Sequence, residues 1–475
     1  MEIKAVEKRV MELFYQISAI PRPPYHEDKI ADFICEMARE NGHEVYRDGV
    51  HNVLVNIKAS EGCEDIAPIL LQGHTDMVCE KNAGVEHDFL TEGIKLYEEN
   101  GILRARGTTL GADNGVAVAI MLYVIEGGIG RHGAIQCLFT TSEEVGLDGV
   151  KSFDFSRIYA NRMINMDGEN EHCVIVGCAG GVRSDVSFKT EYTDASGEGL
   201  RITLKGLMGG HSGENIASGR ANANVLLGRL LSEIYYECTL NIVSISGGTK
   251  ENAIPRESCA VIATNDRERA ENIAREFEKQ IRREVSCDDL PFEVITEKVE
   301  LGKRMMNADT TRRILAYISC IKNGIIEMHK KLSGLVEYSR NLGIIVTEED
   351  KVVVSLNSRS AIDAQLDLAQ REIELLASVC GATVSHNGRY PGWDGGSESP
   401  LADEYIEICR RLYGTEVKKE LIHAGLECGV IKAAVGELDC ISCGPNMKNL
   451  HSPDESLDIE SFGKYAYAIC KMIEA

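Results

Sequence analysis

Glu143 and Glu144 follow an apolar run, Ala134-Ile135-Gln136-Cys137-Leu138-Phe139-Thr140, that has the length of a buried strand. Two carboxylates at the mouth of such a strand are costly unless something positive holds them; a solvated turn is the plainer alternative. Four other residues with ligand chemistry stand at comparable places: His74 after the run 66–72, Asp113 in a glycine-rich loop, Asp167 after the run 158–166, and His451 in Leu450-His451-Ser452-Pro453. Singly, each has an ordinary structural use: Asp113 caps a helix, Asp167-Gly168 is a turn, and each histidine is a surface or satisfied core imidazole. Jointly, two imidazoles and three carboxylates suit zinc, or a borderline ion such as cobalt or manganese. Five ligands exceed the needs of one catalytic zinc and fit two divalent metal ions with one bridging carboxylate. Such a pair makes hydroxide near neutral pH and polarises a carbonyl. Glu143 is then the general base, and Asp76, two residues past His74, is placed to fix its tautomer from the far ring nitrogen.

The elements that must position these residues alternate. Helical periodicity covers 6–20, which Pro21-Arg22-Pro23-Pro24 ends, and then 27–41; short strands follow at 43–46 and 52–57. The run 66–72 is apolar enough for a central strand. A hairpin-like region (92–105), a helix from 116 to 125 and the strands 134–140 and 158–166 complete an α/β core whose strand ends carry His74, Glu144 and Asp167. The carboxyl ends of strands are where open α/β sheets bind ligands. From 183 to 389 the texture is that of an inserted α+β domain of two similar halves, with Asn252-Ala253-Ile254 and Asn341-Leu342-Gly343 as candidate equivalent points. The core resumes at 390–475 with helices at 400–413, 430–435 and 459–474, so its first part is 1–182.

A chain of 475 residues exceeds one hydrophobic core. Its net charge of -23 excludes a phosphate backbone as partner, so no nucleic acid is expected. No apolar run is long enough to span a bilayer, and the acidic, amphipathic start has no signal-peptide core, so a cytoplasmic protein without a membrane partner is expected. The sixteen cysteines are scattered, many within apolar runs, and read as reduced thiols; Cys440-Ile441-Ser442-Cys443 is a lone pair without a second to complete a metal site.

These residues resemble a known family. Gly73-His74-Thr75-Asp76, Ala112-Asp113-Asn114-Gly115, Ser142-Glu143-Glu144-Val145-Gly146, Asp167-Gly168 and His451 are similar, in order and spacing, to the di-zinc exopeptidases that include carnosinases. Ile20-Pro21-Arg22-Pro23, Tyr390-Pro391-Gly392-Trp393, His423-Ala424-Gly425-Leu426-Glu427 and Leu450-His451-Ser452-Pro453 look like the bacterial aminoacyl-histidine dipeptidases. The resemblance implies a zinc-exopeptidase-like catalytic domain, a mixed sheet with helices on both faces, interrupted by an α+β lid. It implies His74 and Asp167 on one zinc, Glu144 and His451 on the other, Asp113 bridging through a cis Asp113-Asn114 bond, and Glu143 as base and proton shuttle. His211 would stabilise the oxyanion, and Arg359 would grip the terminal carboxylate of a small peptide substrate, helped by Asn252 and the backbone near Gly425. The stretch 393–400 is more acidic and glycine-rich than the family pattern. An N-acyl amino-acid deacylase, a tripeptidase and a non-catalytic binding module are the alternatives; the last would lack a ligand or Glu143, and neither is lost. Two similar lid halves would let a monomer mimic a homodimer, and both states stay open.

Overall fold

The computed structural model describes every residue except 1, 287, 288, 290, 331, 333 and 396–398. The chain forms two compact units, one of Met1–Cys178, Trp393–Leu421 and Leu426–Ala475, the other of Ala179–Gly392 and Ile422–Gly425. The boundaries expected at 183 and 389 therefore move outward by a few residues. Residues 422–425, expected in the resumed core, belong to the second unit. Backbone pairing explains this: the N–H of Ala179 donates to the carbonyls of Ile422 and Ala424, at 3.2 and 3.0 Å.

The first unit holds an eight-stranded sheet in the order Glu44–Arg47, Val53–Ile57, Ile135–Thr140, Ile69–His74, Arg162–Asn165, Asp439–Ser442, Cys173–Cys178, Lys418–Ile422. Ile69–His74 lies between Ile135–Thr140 and Arg162–Asn165 and runs parallel to both. All six of its residues are buried, as a continuous apolar run covered on both faces requires. Three neighbouring strands thus end on the same side and deliver His74, Glu143-Glu144 and Asp167 together. The strands Cys173–Cys178 and Asp439–Ser442 were not expected; Cys440 begins the lone cysteine pair and, like Cys443, is a buried free thiol of the core.

The helix Ala112–Ile125 is apolar all round and buried, so it forms the centre of the first unit. It begins earlier than the periodicity places it, with Asp113 and Asn114 outside helical geometry and a cis bond between them. The loop after Asp167 is drawn against a second loop: a Cβ on Gly444 would lie 1.7 Å from the carbonyl oxygen of Gly168, so only glycine permits that approach.

In the second unit, Glu198–Lys205, Ala223–Glu237, Leu240–Gly247, Ser258–Thr264, Arg267–Ile281 and Glu293–Val299 form one half. Gly180–Lys189, Ala308–Cys320, Val336–Thr347, Lys351–Ser360, Asp363–Val379 and Thr383–Tyr390 repeat its β-α-β-β-α-β order. Both halves have the same strand order, and they join where Ser246 pairs Val346 and Gly247 pairs Ile345. The first strand of the second half precedes the first half in the chain, so the two expected halves are not consecutive segments. Asn252 and Asn341 are not equivalent points: Asn252 lies between the two central strands of its half, whereas Asn341 lies within a strand. Asn341 Nδ2 instead donates to the carbonyls on either side of Asn252, those of Glu251 and Ala253, at 3.0 and 2.8 Å. Residues 396–398 of the acidic stretch lie outside the described residues.

Candidate active site

The site in the first unit is built from the two histidines. His74 Nε2 lies 3.0 Å from Asp113 Oδ1 and 3.4 Å from Asp167 Oδ1. His451 Nε2 lies 3.1 Å from Asp113 Oδ2 and 3.2 Å from Glu144 Oε2. One ring N–H serves one acceptor well, so two carboxylates converging on each ring nitrogen leave one of them poorly served, a donor set that a shared cation would satisfy better. Asp113 turns one oxygen to each histidine, which is the geometry of a bridge. Glu144 Oε1, buried and without a hydrogen-bond partner, adds a free ligand lone pair. His74, Asp113 and Glu144 alone already bring a ligand atom each within 4.8 Å of one another. The donors therefore fit two divalent cations, His74 and Asp167 on one side, His451 and Glu144 on the other, Asp113 common to both.

The electrostatics show how much positive charge this cluster calls for. Burial, then the charge of Asp113, pushes the Asp167 carboxyl up to about 7. Burial and Asp113 raise Glu144 as well. Glu143 is pushed well above the usual carboxylate range by burial; Asp167, Glu144 and Glu427 raise it further, against the opposing charge of His74. Burial opposes ionisation of Asp113, but the hydrogen bonds of His451 and His74 outweigh it and hold its carboxyl well below the ordinary range. His451, bonded to Asp113 and Glu144, is drawn up to about 11.

The turn bearing Glu143 and Glu144 is held by its backbone. Four successive N–H groups find side-chain acceptors: Thr141 on Asn52 Oδ1 at 3.0 Å, Ser142 on Glu27 Oε1 at 2.7 Å, Glu143 on Asp76 Oδ1 and Glu144 on Asp76 Oδ2, both at 3.1 Å. Ser142 has a φ of 51°, in the left-handed region, and Glu27 fixes it there by also accepting its hydroxyl at 3.0 Å. Asp76 Oδ1 lies 3.4 Å from His74 Nδ1, so the residue expected to orient that imidazole also holds the backbone of Glu143.

Glu27 and Glu427 were not singled out from the sequence. Glu427 is fully buried, and its Oε2 accepts hydrogen bonds from Gln72 Nε2 and, at 2.7 Å, from Thr140 Oγ1. Gln72 Oε1 in turn accepts from Asn165 Nδ2 at 2.6 Å. This polar layer ties three parallel strands together directly beneath the residues they deliver. The available signal was polar residues, Gln72, Thr140 and Asn165, at positions a fully buried strand should fill with apolar ones.

The remaining expected residues lie in the second unit. His211 and Ala253 pair across a short two-stranded ladder, which brings Asn252 beside His211. Arg359, buried rather than on the surface, places Nη2 3.4 Å from His211 Nε2 and donates from Nη1 to Tyr390 Oη at 2.9 Å. A Cβ on Gly425 would lie 2.7 Å from the Tyr390 ring, so Gly425 packs against the same group. His211, Arg359 and Gly425 thus share one cluster, while all five metal candidates and Glu143 lie in the first unit.

Comparison with known proteins places the chain. Residues 70–475 match Peptidase family M20/M25/M40. The chain belongs to that family. It is a hydrolase acting on peptide bonds, and the mixed α/β fold is that of the family. It is 35% identical over 467 residues to the cytosol non-specific dipeptidase of Escherichia coli, covering 98% of this chain and 96% of that one. The crystal structure of aminoacylhistidine dipeptidase from Vibrio alginolyticus is 33% identical, with a TM-score of 0.85 over 98% of this chain and 96% of that chain. Human carnosine dipeptidase 1 shares the fold at 11% identity and a TM-score of 0.52, covering 99% of this chain and 96% of that chain.

Proposed function

We propose that this chain is a cytoplasmic dipeptidase that hydrolyses unblocked dipeptides, Xaa-His and β-alanyl-histidine among them, at a pair of divalent ions of which zinc is the first candidate. The observation that carries the reading is that Asp113 turns one oxygen to each of two imidazoles, and that each imidazole nitrogen also faces a second carboxylate, Asp167 at His74 and Glu144 at His451. The relative in Escherichia coli and the solved structure from Vibrio alginolyticus, a non-specific and an aminoacylhistidine dipeptidase, support the substrate class.

When bound, the ion pair supplies a nucleophilic water and a Lewis acid for the scissile carbonyl. The chain's own work is proton transfer and orientation. Glu143 takes the proton of the attacking water on its carboxylate and returns it to the leaving amine, a role its raised affinity for protons suits. Asp76 keeps His74 in register and holds the Glu143 backbone still while this occurs. His211 donates to the oxyanion that forms at the carbonyl. Arg359 pairs with the substrate's terminal carboxylate, with Asn252 and the backbone at Gly425 completing its grip.

The test is a panel of dipeptides, tripeptides and N-acyl amino acids assayed with added zinc, cobalt or manganese. Turnover of free dipeptides above the other classes is expected. Preference for N-acyl amino acids or tripeptides would overturn the substrate assignment, and full activity in protein shown to hold no transition metal would overturn the site.

A further inference from the structure

Two buried residues of opposite charge, outside the ligand set, grip the loop that carries Asp113. Glu455 is 2% exposed, and its carboxylate accepts four successive backbone N–H groups. Oε2 takes those of Leu110 and Gly111 at 2.7 and 3.0 Å, and Oε1 those of Ala112 and Asp113 at 2.9 and 3.3 Å. On Gly111 the guanidinium of Arg22, also 2% exposed, closes the other contact: Nη2 donates to the Gly111 carbonyl at 2.5 Å. Its Nη1 donates to the carbonyls of Thr75 and Asp76, at 2.9 and 3.0 Å, immediately after His74.

The sequence makes room for this arrangement. Gly111 has a φ of +71°, and a Cβ there would lie 2.6 Å from Arg22 Nη2. Glu455 follows His451 by four residues, in a segment where His451 itself sits at a φ of 60°. Arg22 therefore ties the His74 segment to the Asp113 loop, and Glu455 ties the Asp113 loop to the His451 segment. A carboxylate that spends both oxygens on backbone donors has no ligand capacity left for an ion. Its effect is on where Asp113 points.

We propose that Arg22 and Glu455 are positioning residues of the metal centre, locking residues 110–113 between the segments of His74 and His451 so that Asp113 can present one oxygen to each side. This rests on the ligand set proposed above and assigns two further residues to it. Loss of either lets the loop relax, and Asp113 ceases to be shared.

The experiment uses full-length protein stripped by a chelator and titrated with zinc in competition with a chromophoric chelator, with circular dichroism to follow the fold. Glu455→Asp keeps the charge but is one methylene too short to span four N–H groups; Arg22→Lys keeps the charge but cannot reach three carbonyls. Both variants are expected to keep the native spectrum and to bind the second ion about 10- to 100-fold more weakly, the usual cost of losing an outer-shell partner. The kcat for a dipeptide should fall with KM little changed. Wild-type affinity for both ions in both variants would overturn the proposal, even if their thermal midpoints drop. Wild-type protein that binds two ions yet leaves dipeptides intact would instead overturn the dipeptidase reading and leave this one standing.

Discussion

Asp76 accepts the backbone N–H of Glu143 at 3.1 Å through the same oxygen that faces His74 Nδ1 at 3.4 Å. One carboxylate thus fixes the position of the proposed base relative to a proposed ligand. Asp76→Ala is expected to lower kcat by about 10- to 100-fold, the range seen when a ligand's outer partner is lost. Because it also frees the turn that carries Glu143, the loss should exceed the loss in metal content, which elemental analysis of the same preparation measures. Equal losses would reduce Asp76 to a role in holding the ion.

Glu143 and Glu144 separate by their contacts. Glu144 Oε2 lies 3.2 Å from His451 Nε2, whereas Glu143 makes no such approach among the distances that define the cluster. Glu143→Gln is expected to retain both ions and lose about 10²- to 10⁴-fold in kcat, the contribution of a positioned general base. Glu144→Gln should lose metal first and activity with it. Metal analysis beside steady-state kinetics distinguishes the two.

Removing the metal should cost stability. Asp167, Glu144 and Glu143 are all raised by burial and by one another's charge, so the cluster is crowded with negative charge that a cation relieves. Ions that bind only the folded state stabilise it, by about 2.7 kcal/mol at a free concentration a hundred times Kd. Chelation should lower the thermal midpoint of the protein, and zinc should restore it. An unchanged midpoint after metal has been removed, shown by elemental analysis, would contradict a cluster of this charge.

The strand ends were legible in the sequence because burial demands apolar runs, and a charged residue at the end of each run stands out. His74, Glu144 and Asp167 were therefore found by pattern. The positions of Asp113 and His451 could be chosen by chemistry, but nothing in periodicity says that Asp113 faces both histidines; that depends on a loop pinned by Arg22 and Glu455 from distant parts of the chain. Glu427 was missed for a related reason. Its partners Gln72 and Thr140 lie hundreds of residues away, and a glutamate at the start of a helix reads as an ordinary capping residue. The order of the repeat in the second unit was hidden because Gly180–Lys189, the first strand of the second half, comes before the first half.

Arg359 offers a prediction about binding rather than chemistry. Arg359 is 5% exposed, and its guanidinium is partnered by Tyr390 on one nitrogen, which orients the rest of the fork. Arg359→Lys should raise KM for free dipeptides. A charge-assisted hydrogen bond is worth about 1.5–3 kcal/mol, so a rise of ~10- to 100-fold is expected. Wild-type protein should be penalised similarly when the dipeptide is amidated at its C-terminus, and the variant should not be penalised again. An additive penalty for variant and amide would show that Arg359 does not read the carboxylate.

His423 supplies the pH dependence of the second unit. Its Nε2 lies 2.7 Å from Ser339 Oγ, and burial, then the charges of Arg359 and His211, lower its pKa to about 3. An unfolded histidine titrates near 6.5, so the folded state disfavours the proton that the unfolded state accepts. The stability contributed by neutral His423 is complete above about pH 6.5 and declines as pH falls toward 3, with a slope approaching one proton, or about 1.4 kcal/mol per pH unit. His423→Gln keeps a hydrogen-bonding side chain that does not titrate. Unfolding by urea across this range should show a steeper acid loss in wild type than in the variant, and the difference between the two curves isolates His423 from the many carboxylates that titrate in the same range. Parallel curves would mean that the imidazole takes up its proton as readily in the folded protein as in the unfolded chain, and that its contact with Ser339 does not hold it neutral.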